Sequence, residues 1–368
     1  MKIGIIGVGK LGLCFALLLE RAGYDVIVSD SRKSHIENLK QKKITTNEPG
    51  VAELLNASKN FTAVHNNKEV VEQADIIYTF VATPSLPTGS YNISALDNII
   101  EDIKTCKSAV KEKGFIVGCT TNPGDCEEFN NKLADYNVEV YYSPTFIAQG
   151  TIMRDLQYDM VLIGGNGSHL RDIKEIHHKI QGRKPKIHTM NTTPAEVVKL
   201  AMNCFLTTKI TFANTVGRVL SKHGHHDEID KVLGAIASQT GIGSQFLNFG
   251  FGYGGPCLPR DNRSFNAYAS NFGINYEIGT ATDKLNNQHL DFLAEWHVKQ
   301  NKDHLPFAFH YVTYKADTNI IEESQQYKLC INLLDLGYKI YVINDSVKSV
   351  CDSRIIWQTP DEDVFWIN

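Results

Sequence analysis

The sequence lacks several features that mark common classes of protein. Its 368 residues contain no apolar run of membrane-spanning length. Lys and Arg total 37 against 41 for Asp and Glu, so the net charge of −4 gives no reason to expect a nucleic acid or an acidic membrane as partner. The eight cysteines show neither CxxC nor paired-histidine spacing, and we therefore expect no metal site and no disulfide framework.

What is present fits a folded protein of more than one domain. The composition is 42% hydrophobic and 21% charged, and a chain of this length can bury about two or three ordinary cores. Glycines and Lys10 interrupt the apolar run at the N-terminus, which is not typical of a signal peptide. Because cysteines without disulfide spacing suit a reducing compartment, a soluble cytoplasmic protein is expected.

The N-terminal segment carries a dinucleotide-binding pattern. Residues 2–6 predict a strand, GVGKLG follows directly, and residues 13–19 predict a helix. Asp30 closes the next apolar run, about twenty positions after the glycines. In this fingerprint Gly7 makes the tight turn, Gly9 lets the backbone approach a pyrophosphate, and Gly12 allows close packing of helix and strand. The expected cofactor contacts of this segment are Gly7, Gly9, Lys10, Leu11, Gly12 and Asp30.

Asp30 also bears on the choice between the two nicotinamide dinucleotides. Arg32 and Lys33 follow it and would suit a 2′-phosphate, but a carboxylate at the end of the strand repels that group and binds a ribose diol instead. We therefore expect NAD as the cofactor rather than NADP.

Apolar runs and amphipathic segments alternate through the rest of the first half, as in a doubly wound parallel sheet. The candidate strands are 76–81, 115–119, 138–143 and 160–164. Polar segments containing proline follow the first three strands, at 82–85, 119–124 and 143–145. Each segment alone is compatible with an ordinary turn. Because ligands gather at the carboxyl ends of parallel strands, the three together predict a shared site.

A long helix is predicted to begin at Thr193 and to run to about His223. The sequence TPAE at its start reads as a capping box with proline at the first helical position. Lys199 and Asn203 lie four residues apart, so an ammonium and an amide project from one face, either into a site or as a solvated surface pair. An apolar helix of this length also suits a dimer interface.

The segment GFGYGGPCLPRD, residues 250–261, contains a candidate nucleophile. Glycines around Cys257 permit close approach of a ligand, and Pro256 and Pro259 stiffen the chain on either side of the sulfur. Asp261 follows four positions later. A buried structural cysteine beside a turn is the alternative interpretation.

The C-terminal part predicts a second unit of nucleotide-binding type. A strand at 307–312, a helix to about Leu336 and a strand at 339–343 follow one another. This part of the sequence lacks the glycine fingerprint of the first.

In order and approximate spacing, these motifs resemble the UDP-glucose/GDP-mannose dehydrogenase family. The matching stretches are MKIGIIGVGKLG, the segment ending NEPG, VATPSLPTGSY, CTTNPG, AEVVKLAMN and GFGYGGPCLPRD, which together extend over most of the chain. The resemblance implies an α/β fold of two Rossmann-like doubly wound domains joined by a long central helix, with the C-terminal domain shortened, and a homodimer. The implied domains are an NAD-binding domain at 1–190, a central helical dimerisation domain with the cysteine segment at 191–300, and a short nucleotide-sugar-binding domain at 301–368.

The resemblance also implies oxidation of the C6 primary alcohol of a nucleotide sugar, UDP-glucose in the first place, to a uronic acid with two NAD+. Cys257 is the implied nucleophile, which holds the substrate as a thiohemiacetal and then as a thioester. Lys199 and Asn203 are implied to stabilise the developing oxyanion, and Asp261 and Thr121 are implied to orient the hydrolytic water. Further implied cofactor contacts are Thr83, near the nicotinamide, and Thr121. The implied substrate contacts are Thr145, Phe146, Lys199, Asn203, Phe249, Gly254 and Lys315.

Four positions depart from the family pattern. Thr145 and Gln149 stand where the family has carboxylates, and a neutral side chain cannot act as a general base. Gly241 and Glu322 stand where it has arginines, which weakens the expected site for an anionic substrate. A non-catalytic or regulatory NAD-binding relative fits these losses and stays open as an alternative. A two-electron β-hydroxyacid dehydrogenase needs no cysteine, so the intact GGPCLPRD segment disfavours it.

Overall fold

The computed structural model describes residues 1–46, 48–106, 112–147, 150–157, 160–182 and 184–367. The chain forms two compact units, Met1–Lys199 and Leu200–Asn368, and the boundary falls inside one long helix. The division into three domains at residues 190 and 300 stays a prediction. Within the described ranges, no helix combines the length and the apolar character needed to cross a membrane.

A large sheet forms the centre of the first unit. Its strands among the described residues are β1 Lys2–Ile6, β2 Asp25–Ser29, β3 Phe61–Val64, β4 Ile76–Thr79, β5 Lys113–Val117, β6 Val138–Tyr142, β7 Met160–Gly164 and β8 Lys186–Met190. Their spatial order is β3-β2-β1-β4-β5-β6-β7-β8, which begins as in a doubly wound dinucleotide-binding fold.

Helices cover both faces of this sheet. The described helices of the first unit are α1 Lys10–Arg21, α2 Lys33–Lys40, α3 Val51–Ala57, α4 Asn67–Gln73, α5 Ser94–Thr105, α6 Asp125–Leu133, α7 Ile152–Asp155 and α8 Leu170–Gln181, with a 3-10 helix at Ala134–Tyr136. Alternate strand residues point to opposite faces, so Ile3 and Ile5 belong to one apolar core and Ile6 to another. Burial on both faces explains why the central strands β1 and β4 are short apolar runs.

The strands predicted for the first unit are confirmed to within two residues at each end. The predicted parallel arrangement has one exception among the described strands, because β6 and β7 run antiparallel, through Tyr142 and Gly164. The described part of the connection between these two strands contains one short helix, α7.

The predicted long helix is confirmed as α9, Thr192–Lys222, which contains the boundary between the units. Its first helical residue is Thr192, so Pro194, expected at the first helical position, is the third residue of the helix. This shift already indicates that the start of α9 differs from the predicted capping box.

The second unit combines helices with a small parallel sheet. After α9, its described helices are α10 Ile229–Ala237, α11 Leu258–Ser270, α12 Glu277–Gln300 and α13 Gln325–Asp335, with 3-10 helices at His226–Glu228 and Lys348–Val350. Its described strands, β9 Phe307–Phe309, β10 Ile340–Val342 and β11 Phe365–Ile367, are ordered β10-β9-β11. Apolar side chains of α12, α13 and the three strands form one core. The predicted mixed α/β class, with parallel sheets and a long helix, is confirmed.

Candidate active site

The turn between β1 and α1 has the geometry that a dinucleotide requires. Gly7 adopts φ +88°, in the left-handed region that favours glycine. Gly12 lies in the first turn of α1, where a Cβ would overlap the carbonyl oxygen of Gly7. Beyond its chain neighbours, the nearest atom to a Cβ at Gly9 would be Nη2 of Arg32, 3.9 Å away, so a pyrophosphate can approach the backbone there. The first residues of α1 at this turn are Lys10 and Leu11.

Asp30 follows β2 and lies beside the glycine turn. Its buried carboxylate accepts hydrogen bonds from the amide of Val8 at 3.1 Å and from the amide and Nε of Arg32 at 3.0 and 2.9 Å. Burial raises the pKa of Asp30, but the bonds from Arg32 outweigh burial and leave the pKa below its ordinary value. An ionised Asp30 can accept ribose hydroxyls, and it engages the guanidinium that would otherwise attract a 2′-phosphate. The residues at this turn therefore fit NAD.

Two predicted threonines, Thr83 and Thr121, lie in the segments that follow β4 and β5. Thr83 donates its hydroxyl to the carbonyl oxygen of Thr120 at 2.7 Å, which links the segments that follow these strands. Thr121 is fully buried and donates to a carboxylate oxygen of Glu196 at 2.7 Å. Both threonine hydroxyls thus make contacts at the segment after β5: that of Thr83 bonds to the backbone of Thr120, and that of Thr121 bonds to Glu196. Thr120 itself is half-buried.

Glu196 is a buried carboxylate whose contacts the sequence did not predict. Besides the bond from Thr121, it accepts from the amides of Gly124 at 2.7 Å and Cys126 at 3.1 Å, at the start of α6. The capping-box prediction is therefore wrong, because this carboxylate caps α6, whose own N-terminus has no side-chain cap. Burial raises the pKa of Glu196 to about 7 in spite of these donors. One feature of the sequence could have indicated that Glu196 lies near the site: it is three residues before Lys199 and therefore on the same face of α9.

A Glu196→Gln variant is expected to change how stability depends on pH. The ordinary pKa of Glu196 is 4.5 and its folded value is about 7, so folding takes up a proton between these values and the wild type loses stability as pH rises through this range. The shift corresponds to about 3 kcal/mol. Glutamine does not titrate, so the unfolding free energy of the variant relative to the wild type should increase from about pH 5 to about pH 7.5. Urea unfolding measures the difference, and a constant difference would contradict a titrating buried carboxylate.

Lys199 in α9 is held at the segment that follows β6. Its ammonium donates to the carbonyl oxygen of Thr145 at 2.9 Å and lies 4.7 Å from the centre of the Phe146 ring. Three predicted substrate contacts are thereby brought together in the first unit. Lys199 is only 8% exposed, which strengthens the field of its charge. Gln149, the second neutral replacement, lies outside the described residues.

Cys257 stands at the start of α11 and is exposed, whereas the other seven cysteines, all within the described part of the chain, are buried or half-buried. Burial raises the pKa of each of those seven thiols. The amide of Asp261 donates to the carbonyl oxygen of Cys257 at 2.9 Å, and the buried Asp261 carboxylate accepts from Nδ2 of Asn203 at 2.5 Å. Three predicted catalytic residues therefore lie together in the second unit. The alternative of a buried structural cysteine is wrong.

The remaining predicted substrate contacts, Phe249, Gly254 and Lys315, belong to the second unit. The Phe249 ring packs edge-on against His289, with ring centroids 5.6 Å apart. A Cβ at Gly254 would overlap the backbone oxygen of Glu323. The carbonyl oxygen of Lys315 accepts from two threonine hydroxyls, which fixes its backbone. These contacts order the backbone around the three positions.

Comparison with known proteins agrees with this arrangement. Residues 1–181 match the model of the UDP-glucose/GDP-mannose dehydrogenase family, NAD binding domain, and residues 193–288 match the model of the central domain of the same family. This chain belongs to the UDP-glucose/GDP-mannose dehydrogenase family.

Known relatives match most of the chain. A UDP-glucose 6-dehydrogenase of Rickettsia conorii is 30% identical over 302 residues, which cover 78% of this chain and 67% of the relative. The structure of a UDP-glucose dehydrogenase from Pyrobaculum islandicum superposes with a TM-score of 0.86 at 22% identity, over 98% of this chain and 86% of that one. The structure of a UDP-D-ManNAc dehydrogenase from Pyrococcus horikoshii superposes with a TM-score of 0.78 at 20% identity, over 93% and 83%. At these identities the two structures support the fold alone.

Membership of the UDP-glucose/GDP-mannose dehydrogenase family defines the general chemistry. The chain is an NAD-dependent oxidoreductase of the nucleotide-sugar dehydrogenase family. No group of three or more His, Cys, Asp or Glu side chains within the described ranges could hold a metal ion. Of the positions that depart from the family pattern, Gly241 and Glu322 are exposed, and Thr145 contacts Lys199 through its carbonyl oxygen.

Proposed function

We propose that the chain oxidises the C6 primary alcohol of a UDP-sugar, UDP-glucose in the first place, to the uronic acid with two NAD+. The observation that carries the proposal is the exposed Cys257 at the start of α11, next to the buried pair of Asn203 and Asp261. A structural cysteine is ordinarily buried, whereas a nucleophile must be accessible to its substrate. A cytoplasmic location, inferred from cysteines without disulfide spacing, is part of the same proposal.

The proposed reaction has two oxidations with Cys257 between them. NAD+, when bound, accepts the hydride of each oxidation. The alcohol first loses a hydride and a proton to become an aldehyde. The sulfur of Cys257 then adds to the aldehyde carbon, and the thiol proton goes to the aldehyde oxygen, which becomes a hydroxyl. Loss of a second hydride and a proton gives a thioester, and water releases the acid and restores the thiol. One alcohol, one water and two NAD+ thus give one acid, two NADH and two protons.

Lys199 and Asn203 are proposed to stabilise the negative charge that develops on the substrate oxygen. The bond from Lys199 to Thr145 fixes the ammonium, and a fixed charge in a poorly hydrated site stabilises an oxyanion more than a mobile one in water. The bond from Asn203 to Asp261 fixes the amide in the same way. Asp261 is proposed to orient the attacking water, and Thr121 to hold its segment through its bond to Glu196.

The departures from the family pattern bear on rate and on substrate. Because Thr145 is neutral, we expect hydrolysis of the thioester to be slow, so that the two oxidations of the first turnover appear as a burst of about two NADH for each active site. Glu322 is an exposed anion where the anionic substrate is expected. This observation favours, as a second candidate, a non-catalytic NAD-binding protein of the same family.

A panel of nucleotide sugars tests the proposal. UDP-glucose, UDP-N-acetylmannosamine and GDP-mannose are each incubated with the protein and NAD+ or NADP+, and NADH, product and adducts are measured. We expect two NADH for each uronic acid from UDP-glucose and a sugar adduct on the Cys257 peptide. One NADH for each product would contradict the double oxidation, and no NADH with any sugar would support the non-catalytic candidate.

We also propose that the protein forms a homodimer through α9. Met202, Phe205, Phe212 and Val219 recur along this helix at spacings of three and seven residues, and all are exposed, Phe205 to 65% and Phe212 to 51%. Residues at these spacings share one face, and a contiguous exposed apolar stripe is typical of an interface. A second copy can cover the stripe by pairing it with itself about a twofold axis.

The double variant Phe205→Glu, Phe212→Glu is expected to be monomeric. Two carboxylates on each copy would face one another in the paired stripe, and burying them unpaired is unfavourable. Light scattering after gel filtration measures the mass. Phe272→Glu is the matched control, because Phe272 is exposed to 66% in the same unit but lies outside α9, and this variant should stay dimeric. A dimeric double variant would exclude this interface.

A further inference from the structure

Side chains of two helices hold the backbone of the segment that leads to Cys257. At Gly250 the amide donates to Oδ1 of Asn214 in α9 at 3.0 Å, and the carbonyl oxygen accepts from Nε2 of His289 in α12 at 2.6 Å. Burial lowers the pKa of His289 to about 4, so the ring is neutral, and a carbonyl partner requires the proton on Nε2. Both peptide groups of Gly250 are thus fixed by buried side chains.

Asn286, three residues before His289 in α12, binds the same segment through two hydrogen bonds to one residue, Tyr253. Its Oδ1 accepts from the amide of Tyr253 at 3.0 Å, and its Nδ2 donates to the carbonyl oxygen of Tyr253 at 2.9 Å. Gly252 belongs to this fit, because a Cβ there would overlap Oδ1 of Asn286. The hydroxyl of Tyr253 donates to Asp283, also in α12, so backbone and side chain of one residue are held by one helix. Losing Asn286 would leave two buried peptide groups without these bonds.

The residues between Tyr253 and Cys257 form a stiff connection. Gly254 and Gly255 are packed so closely that a Cβ on either would overlap a neighbouring residue, and Gly255 adopts φ +77°. Pro256 has a fixed φ. A displacement of the backbone at Tyr253 is therefore transmitted to Cys257 rather than absorbed between them.

We propose that Asn286 is a positioning residue that sets the location of the Cys257 sulfur for reaction. The inference rests on the proposed function, in which Cys257 is the nucleophile. Misplacing a reacting group by about 1 Å costs about a hundredfold in rate. The bonds of Asn286 fix the backbone four residues before the thiol, whereas the glycine turn for NAD lies in the first unit. Loss of Asn286 should therefore affect the steps on sulfur and spare cofactor binding.

The residue that follows α12 supplies a matched control. Asn301 follows α12, and its Nδ2 donates to the carbonyl oxygen of Leu305 at 2.7 Å while its Oδ1 accepts from the amide of Leu305 at 2.9 Å. Asn286 is 6% exposed and Asn301 is 2% exposed, so the two side chains have the same bonding pattern and similar burial. Because Asn301 binds a different segment, Asn301→Ala measures the loss of stability that follows from removing two buried hydrogen bonds of this kind.

The test compares Asn286→Ala with Asn301→Ala in the full chain. Alkylation of Cys257 by iodoacetamide is followed by peptide mapping, and the NADH burst is followed with UDP-glucose. Asn286→Ala should change the alkylation rate about threefold or more. It should lower the rate at which the second NADH of the burst forms about tenfold to a hundredfold, with KM and NAD+ affinity within about twofold of the wild type. Asn301→Ala should leave both rates near those of the wild type at a similar loss of unfolding temperature.

Asn286→Asp is a second variant that keeps the side-chain volume and the acceptor for the Tyr253 amide. In this variant a carboxylate oxygen replaces the amide donor and faces the carbonyl oxygen of Tyr253, so Asn286→Asp should have the same effects as Asn286→Ala. It replaces Asn286→Ala in the test if the alanine variant does not fold. Equal effects of the variants at 286 and 301 on alkylation and burst would overturn the inference. Failure of both 286 variants to fold, with Asn301→Ala folded, would overturn it as well, because the role would then be structural. Formation of the uronic acid by Cys257→Ala at the wild-type rate would overturn the proposed function instead, while alkylation would still test the positioning.

Discussion

Replacement of Cys257 by alanine should stop formation of the uronic acid, with turnover reduced on the order of a thousandfold or more. In the proposed reaction the second oxidation and the hydrolysis both take place on this sulfur, so without it the aldehyde has no route to the thioester. Because Cys257 is exposed, the variant loses little packing, and NAD+ binding by the first unit should be unchanged. Chromatography measures the acid, absorbance measures NADH, and a fluorescence titration gives the dissociation constant of NAD+.

Cys351→Ala is the matched control for this experiment. Cys351 is a half-buried thiol of the same unit and has no part in the proposed reaction, so its variant should keep turnover within about twofold of the wild type. Acid formation by Cys257→Ala at the wild-type rate would show that the thioester is not on the reaction path. A loss of NAD+ affinity in Cys257→Ala would show that the substitution disturbs more than the nucleophile.

The cofactor half of the molecule could be predicted because its signals are local. The glycine turn is contiguous in sequence, and the φ of +88° at Gly7 is a conformation that glycine adopts readily and larger residues do not. Asp30 follows the next strand in the chain, and that strand is the neighbour of β1 in the sheet. Each of these features depends on a short stretch of residues, so no knowledge of distant contacts was needed.

The contacts that complete the candidate site could not be predicted, because they join residues far apart in the chain. Thr121 and Glu196 are 75 positions apart, and Tyr253 and Asn286 are 33 positions apart. Nothing in the local composition of α12 distinguishes Asn286 from its other polar residues. The direction of β7 is a similar case, since it depends on the path of the preceding connection and not on the strand itself.

Glu196 shows how a correct local pattern can lead to a wrong partner. TPAE has the composition of a capping box, and a helix does begin there. The start of α6 competes for the carboxylate, because its amides at Gly124 and Cys126 have no side-chain cap of their own. The motif therefore predicted the start of α9 and not the contact that joins this helix to the segment after β5.

Replacement of Lys199 by methionine should lower turnover by about a hundredfold to a thousandfold. Methionine keeps an unbranched apolar stem beside the ring of Phe146 but removes the ammonium that, in the proposed reaction, stabilises the oxyanion. Lys209→Met is the matched control, because Lys209 lies in the same helix and its Nζ also donates to a backbone carbonyl oxygen, that of Ile242 at 2.9 Å. Its loss should change turnover by no more than about twofold.

The split between kcat and KM shows whether Lys199 acts through its charge or only through its bond to Thr145. If the lysine merely held α9 to the segment after β6, its loss would lower the unfolding temperature and raise KM while the maximal rate persisted. A charge that acts on the reacting oxygen contributes mainly in the transition state, so kcat should fall while NAD+ affinity is unchanged. Rapid mixing should place the fall in the NADH burst, which precedes hydrolysis. Equal kcat values for Lys199→Met and Lys209→Met would contradict the proposed role, because the two variants lose the same kind of hydrogen bond and differ in the charge assigned to the reaction.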